Sequence, residues 1–294
     1  VRAIEYAAPT SVEEAIGILA RYGSGARMLA GGTDIIVMAR EGRRQVDILV
    51  DAKHIPEITE LRFEPDGGLF IGAAVSCAVI YEDAQIQRRF PALVDSASLI
   101  GGIQIQSRAS LGGNLCNSSP AADSIPTLIA LGGNCQIAGP NGRRTLLVEQ
   151  FCTAPGRNAL TEGELLVAIT FPAPAPHSGA AFLRFIPRNE MDIAVVNVAA
   201  SVTLSGDGRT FAAARFAVGA VAPTPLFVPE AGAALAGKPV SPETIEETIE
   251  AAAEAVSAAA RPIADMRGSV AQRKHLAKVL TRRVLETAVE RAKQ

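Results

Sequence analysis

Two glycine-centred stretches carry the residue types best suited to chemistry: Ala30-Gly31-Gly32-Thr33-Asp34 and Ser110-Leu111-Gly112-Gly113-Asn114. Glycine lacks the Cβ that bars positive φ, so paired glycines let consecutive backbone N–H groups converge on an anion. Thr33, Ser110 and Asn114 add side-chain donors. The pattern predicts two halves of one phosphate cradle. It matches neither of the two commonest nucleotide motifs, because the first stretch lacks the Lys of a Gly-Lys-Ser/Thr loop and the second lacks G-x-G-x-x-G spacing. In a chain with 26 glycines, two ordinary turns are the competing reading. The run after the second stretch, residues 114–126, stays small and polar where a loop could turn away. Such a run suits backbone lying against a ligand.

Elements must hold these stretches in place. Pro9-Thr10-Ser11 followed by Glu14 is a capping signature, and Ile16, Leu19 and Ala20 recur at helical spacing until Gly23. A strand over 27–29, a turn over 30–33, a helix over 35–40 and a strand over 48–51 follow. The first glycine stretch therefore falls where a strand meets a helix N-terminus, a geometry that favours a pyrophosphate. A second unit starts with the alternating segment 69–73. Ser76 caps a short helix to Tyr81, and an apolar helix over 91–98 leads to a glycine loop at 110–114. A helix over 123–131 comes next, then strands over 134–137 and 145–148 around the turn Gly139-Pro140-Asn141-Gly142, and a closing strand over 165–171.

Pro172-Ala173-Pro174-Ala175-Pro176 reads as a stiff linker. Beyond it, strands are expected over 182–185, 195–204 and 211–218, with Gly206-Asp207-Gly208 turning between the last two. Ser241-Pro242-Glu243 opens an alanine-rich helix to about 259, and a last helix runs over 269–292. The stripe Val270, Leu276, Leu280, Val284, Leu285 and Val289 on that helix reads as packing on the sheet, since strict heptads are absent.

Composition removes several function classes. The 294 residues allow one large or two moderate domains, with 48% hydrophobic and 20% charged residues, enough for a core. A net charge of −2 gives no footprint for nucleic acid. No apolar run is long enough for a transmembrane helix, and Val1-Arg2-Ala3-Ile4-Glu5 does not resemble a secretion signal, so a cytoplasmic protein is expected. Cys77, Cys116, Cys135 and Cys152 lie singly, without metal or iron–sulfur spacing.

The residues 30–34 and the run SLGGNLCNSSPAADSIPTLIAL at 110–131 resemble the FAD-binding subunit of the molybdenum hydroxylases, the family of xanthine dehydrogenase and carbon monoxide dehydrogenase. The likeness spans nearly the whole chain. Ile48-Leu49-Val50-Asp51, Ile71-Gly72-Ala73, Gln104-Ile105 with Arg108, and Asp192-Ile193-Ala194 are also similar. The resemblance implies an α+β fold: a two-subdomain FAD-binding domain of the vanillyl-alcohol-oxidase/PCMH type over 1–173, with subdomains about 1–57 and 58–173. A C-terminal α+β domain with a three-stranded antiparallel sheet and helices follows over 178–294.

By the same resemblance, Leu29, Ala30, Gly31, Gly32, Thr33, Asp34 and Ile35 line the flavin diphosphate. Ser110, Gly112, Gly113, Asn114, Ser118 and Ala122 hold its other side. Asp123 would bond a ribose or ribityl hydroxyl; a helix N-cap is the competing role. Leu166 meets the adenine region, and Arg184 stands near the flavin ring where related proteins place a Lys. Gln106 departs from an Arg common in the family. Ile193 would cover the isoalloxazine, or else be a plain core residue. Non-covalent FAD is expected, with a covalent link through Cys116 or His54 as the alternative; His54 reads as a surface residue.

The implied function is electron relay in a heterotrimer, with a large molybdopterin-binding subunit and a small [2Fe-2S] subunit, forming a dimer of heterotrimers. Electrons would leave to NAD, a quinone or oxygen. No His–carboxylate pair, activated nucleophile or metal cluster accompanies the glycine stretches, so the cofactor carries the chemistry. A stand-alone FAD-dependent oxidase or dehydrogenase and a flavin-free scaffold are the rival functions.

Overall fold

The structure, a computed structural model, describes residues 3–189, 191–241 and 245–294. Val1 and Arg2 of the leading segment, and Pro242 and Glu243 at the expected helix start, lie outside the described residues.

Local capping chemistry starts the fold as the sequence predicts. The hydroxyl of Ser11 accepts from Glu14 N at 3.1 Å, satisfying one orphan donor of the helix Val12–Tyr22, and the Glu14 carboxylate reaches back to accept from Thr10 N at 2.8 Å. That helix backs a three-stranded parallel sheet in the order Glu5–Ala7, Ile48–Asp51, Ala26–Leu29. The register Leu29↔Asp51 brings the end of the central strand beside the entry to the first glycine stretch. The helix Ile35–Arg40 leaves that stretch.

The second unit is a five-stranded antiparallel sheet in the order Leu61–Phe63, Leu69–Gly72, Leu165–Phe171, Asn134–Gly139, Gly142–Leu147. Its last two strands join through Pro140 and Asn141, the expected hairpin. Apolar side chains from both units form one continuous core. Phe90 stacks at an angle between Phe63 and Phe171, with ring centroids 6.4 and 6.2 Å away. Each such pair adds about 1 kcal/mol beyond area burial.

After the proline-rich segment, three long strands, Ser178–Phe185, Val196–Leu204 and Phe211–Gly219, form an antiparallel sheet as expected, and a two-residue strand, Leu226–Phe227, adds a fourth. The helices Ile245–Ala259 and Val270–Ala292 pack together, and the second covers the sheet. Ser269 caps the last helix by accepting from Gln272 N at 3.1 Å. Of the expected stripe, Leu280, Val284, Leu285 and Val289 are buried, Leu276 is half-buried and Val270 is exposed. Arg273 is buried instead, donating to Val195 O and Ala220 O and pairing with Asp265.

The helix Ile125–Ala130 joins the two halves. All six of its residues are buried. Cross-strand neighbours on the C-terminal sheet grip both its ends. Near its start, Asn197 Nδ2 donates to Ala122 O at 3.1 Å and Arg184 pairs with Asp123. At its finish, Ser201 Oγ donates to Ala130 O at 2.6 Å and the Arg215 guanidinium to Ile129 O at 3.1 Å. Ser201 thereby satisfies Ala130 O, a carbonyl that a helix C-terminus otherwise leaves unpaired, and Arg215 adds a bond to Ile129 O, which also accepts from Gly132 N at 3.0 Å.

Candidate cofactor site

The two glycine stretches face one cavity of about 450 Å³, within the size range of nucleotide and cofactor pockets. Gly31 is where they touch. A Cβ there would fall 1.7 Å from the carbonyl oxygen of Arg108, so only glycine lets the backbone before the second stretch approach. Gly32 has φ +79°, the left-handed region. Among the described residues, the backbone N–H groups of residues 31–34 reach no protein acceptor. The first stretch therefore carries a row of unsatisfied donors on the cavity wall, as a phosphate cradle requires.

The second stretch is not the expected loop. Ser110 caps a helix, Leu111–Asn117, accepting from Gly113 N at 3.0 Å on its hydroxyl and from Asn114 N at 2.9 Å on its carbonyl. Gly112 is glycine for packing, because a Cβ would fall 2.4 Å from Ala73 O. Cap and packing outweigh the helix penalty of two adjacent glycines, about 1 kcal/mol each. The cap also engages the Gly113 N–H, which is then not open to a ligand. Ser124 Oγ donates to Asn114 Oδ1 at 2.6 Å, which frees the Asn114 amide N–H groups.

Eleven of the expected residues lie on the wall: Ala30, Gly31, Gly32, Thr33, Asp34, Ile35, Ser110, Gly112, Gly113, Asn114 and Leu166. Partial desolvation raises the pKa of Asp34, although the residue keeps an exposed edge. Five expected residues lie off the wall. Leu29 and Ala122 are buried beside it, and Ser118 is fully buried, its hydroxyl donating to Leu115 O at 2.9 Å. Asp123 and Arg184 form a buried ion pair at 2.5 Å. Burial pushes the Asp123 carboxyl up to about 6 against the opposing pull of Arg184, and its Oδ1 has no protein partner. The competing cap role for Asp123 is not observed, since Ser124 occupies the N-cap position of the next helix and makes no side-chain cap bond.

Sequence reasoning missed several wall residues: Arg27, Arg44, Asn117, Asn158 and Glu164. Arg27 carries a buried Nε without a protein partner, and burial, with Arg44 close by, lowers its pKa. Arg27 and Arg44 thus put positive charge on the wall, opposed on Arg27 by Asp47, and the orphaned Arg27 Nε suits an anionic ligand. The wall carboxylate of Glu164 is committed elsewhere: hydrogen bonds from Arg144 hold it down at about 2. Arg27 alternates with Leu29 before the glycine turn, a weak local signal; the others come from distant segments and leave none.

Cys116 lies on the wall as a half-buried residue whose thiol pKa desolvation pushes up to about 12, a poor nucleophile. His54 is exposed and off the wall, the surface role expected of it. Gln106 is buried, donating to Ser98 O at 2.7 Å. Ile193 is 51% exposed just before its strand, so the plain-core alternative fails. Among the described residues, no cluster of His, Cys, Asp or Glu could hold a metal ion, and no helix is long and apolar enough to cross a membrane.

Comparison with known proteins agrees with this geometry. Residues 2–174 match the family described as the FAD binding domain in molybdopterin dehydrogenase, and residues 181–288 match the CO dehydrogenase flavoprotein C-terminal domain. The xanthine dehydrogenase FAD-binding subunit of Escherichia coli O157:H7 is 33% identical, over 98% of this chain and 96% of that protein. The carbon monoxide dehydrogenase medium chain of Hydrogenophaga pseudoflava is 32% identical over 97% of this chain and 96% of its own length. A solved structure of the Hydrogenophaga pseudoflava carbon monoxide dehydrogenase superposes with a TM-score of 0.92, covering 99% of this chain and 98% of that chain. Quinoline 2-oxidoreductase from Pseudomonas putida 86 superposes with a TM-score of 0.89, covering 100% of this chain and 99% of that one, at 29% identity.

Fold and site thus define an α+β flavoprotein component of an oxidoreductase. The chain belongs to the FAD-binding family of the molybdopterin dehydrogenases, and FAD is its cofactor.

Proposed function

We propose that this chain is the FAD-binding electron-transfer subunit of a heterotrimeric molybdenum hydroxylase. It would take electrons from [2Fe-2S] clusters in a small subunit and deliver them to NAD, a quinone or oxygen. A large molybdopterin-binding subunit would oxidise the substrate. The observation that carries this reading is the row of unpaired N–H groups at residues 31–34, closed against Arg108 and facing the capped helix Leu111–Asn117 across one cavity. The orphaned Nε of Arg27 on the same wall fits a diphosphate-bearing group. The full-length likeness to subunits named for xanthine and carbon monoxide dehydrogenase supports the assembly and a cytoplasmic setting; the dimer of heterotrimers belongs to the same reading.

FAD supplies the electron-carrying chemistry when bound. The protein's own residues bind and orient it. The first stretch and the amide of Asn114 would hold the diphosphate, Leu166 the adenine side, and Arg27 with Arg44 would neutralise charge. The Asp123–Arg184 pair, with its free Asp123 oxygen, would border the flavin side. We divide the chain into an FAD-binding domain over 1–173, with subdomains meeting near residue 57, and a C-terminal domain over 178–294. Relay rather than independent oxidation is favoured because the cavity wall has no histidine and Glu164 is locked to Arg144.

The test is an absorbance spectrum of the purified chain, then heat release and chromatography of its cofactor. Released FAD is expected. A colourless protein that also fails to take up added FAD would overturn the reading.

A further inference from the structure

The carbonyl of Ala30, at the head of the first glycine stretch, is held from outside the cavity. Lys53 Nζ donates to it at 3.1 Å. Lys53 is itself seated by Asp51, whose Oδ1 accepts from Lys53 Nζ at 2.5 Å and from the Lys53 backbone N–H at 2.9 Å. The other Asp51 oxygen accepts from the Tyr6 hydroxyl at 2.6 Å. The parallel sheet brings these groups together. Tyr6 lies opposite Leu49, which shares a strand face with Asp51, and Asp51 lies opposite Leu29, next to Ala30. Asp51 is only 3% exposed. Burial pushes its pKa up, but the bonds from Lys53 and Tyr6 win and hold the carboxyl below its ordinary range.

A trans peptide is planar, so the C=O of Ala30 and the N–H of Gly31 point in opposite directions. A grip on the oxygen therefore fixes the direction of the N–H. Gly31 lines the cavity, whereas neither Lys53 nor Asp51 does. Lys53 and Asp51 neutralise one another, so the grip brings no net charge to the site. A charged donor on the carbonyl also polarises the peptide and strengthens its N–H.

We infer that Lys53, seated by Asp51 and Tyr6, is a positioning residue that sets the Ala30–Gly31 peptide and so aims the Gly31 N–H at the cofactor diphosphate. This role rests on the reading that FAD lies against the glycine segments.

The test uses the full chain, stripped of flavin and titrated separately with FAD, ADP and riboflavin. Lys53→Met is expected to weaken FAD and ADP about tenfold, the scale of one hydrogen bond involving a charged group. Riboflavin, which has no phosphate, should be unaffected. The 31P resonances of bound FAD should shift; the flavin-free protein should melt lower, because the buried Asp51 loses its cation, but the unchanged riboflavin affinity separates that loss from the aim of the Gly31 N–H. Lys53→Arg should recover part of the affinity. Tyr6→Phe removes one hydroxyl from a half-exposed side chain and should weaken FAD about threefold. If Lys53→Met does not fold, Tyr6→Phe decides. Unchanged FAD affinity and 31P shifts in the folded variants would overturn the positioning role. Failure of the wild-type chain to bind FAD at all would instead overturn the site.

Discussion

The two glycine stretches look alike in sequence and are built differently. In the first, Gly31 and Gly32 shape an open turn on the cavity wall whose N–H groups meet no protein acceptor among the described residues, and Gly31 admits the backbone of Arg108. In the second, Gly112 and Gly113 lie in the first turn of a capped helix. There Gly112 admits the backbone of Ala73, and the Gly113 N–H is already taken by Ser110. The lesson is that a doubled glycine serves separate ends. One member of each pair permits two backbones to meet, and the other shapes or clears the cavity wall.

Substitutions can break this comparison. The largest effect is expected for Gly31→Ala, whose Cβ would land 1.7 Å from a backbone oxygen that no rotamer can move. It should cost about 3 kcal/mol or more in urea unfolding. A second effect belongs to the run beyond the second stretch. The folded pKa of Asp123, about 6, lies above its ordinary 3.8, so the folded chain binds that proton more tightly. The resulting stabilisation is full below 3.8 and is lost as pH rises through 6, on the order of 3 kcal/mol. Urea midpoints from pH 3 to 8 should show this slope in the wild type and lose it in Asp123→Asn.

Gly112→Ala should cost about 1–2 kcal/mol, because its crowding against Ala73 is partly offset by better helix propensity. Gly113→Ala sharpens the contrast with the smallest change in stability. Its Cβ would meet only the Ser110 hydroxyl, at 3.0 Å, so the helix should be unchanged or stabilised by up to about 1 kcal/mol. FAD affinity, read by fluorescence titration, should fall nonetheless. A Gly113→Ala protein that binds FAD as tightly as wild type would show that this face does not border the cofactor.

Local patterns made much of the fold legible. The caps at Ser11 and Ser76, the Pro140-Asn141 hairpin and the long strands each follow from neighbouring residues, and they formed near their expected limits. The helix at Leu111–Asn117 was hidden because its glycines argue locally against a helix, and the packing of Gly112 on Ala73 is a tertiary fact. The cavity's charged edge was hidden for the same kind of reason. Arg44, Asn158 and Glu164 reach the wall from separate segments, and Asp123 meets Arg184 across 61 residues. Nothing in the spacing of these residues marks them as neighbours.

The helix Ile125–Ala130 has a further consequence for anyone who would cut the chain at its proline-rich segment. Its six residues are covered from both sides, and its last carbonyls are answered by Ser201 and Arg215 across the cut. An N-terminal fragment would present bare apolar surface to water, and a C-terminal fragment would carry Arg184, Arg215 and Arg291 stripped of their carboxylate partners. The halves are therefore complementary pieces rather than portable modules. Co-expressed as two polypeptides, they should find each other and restore one soluble particle.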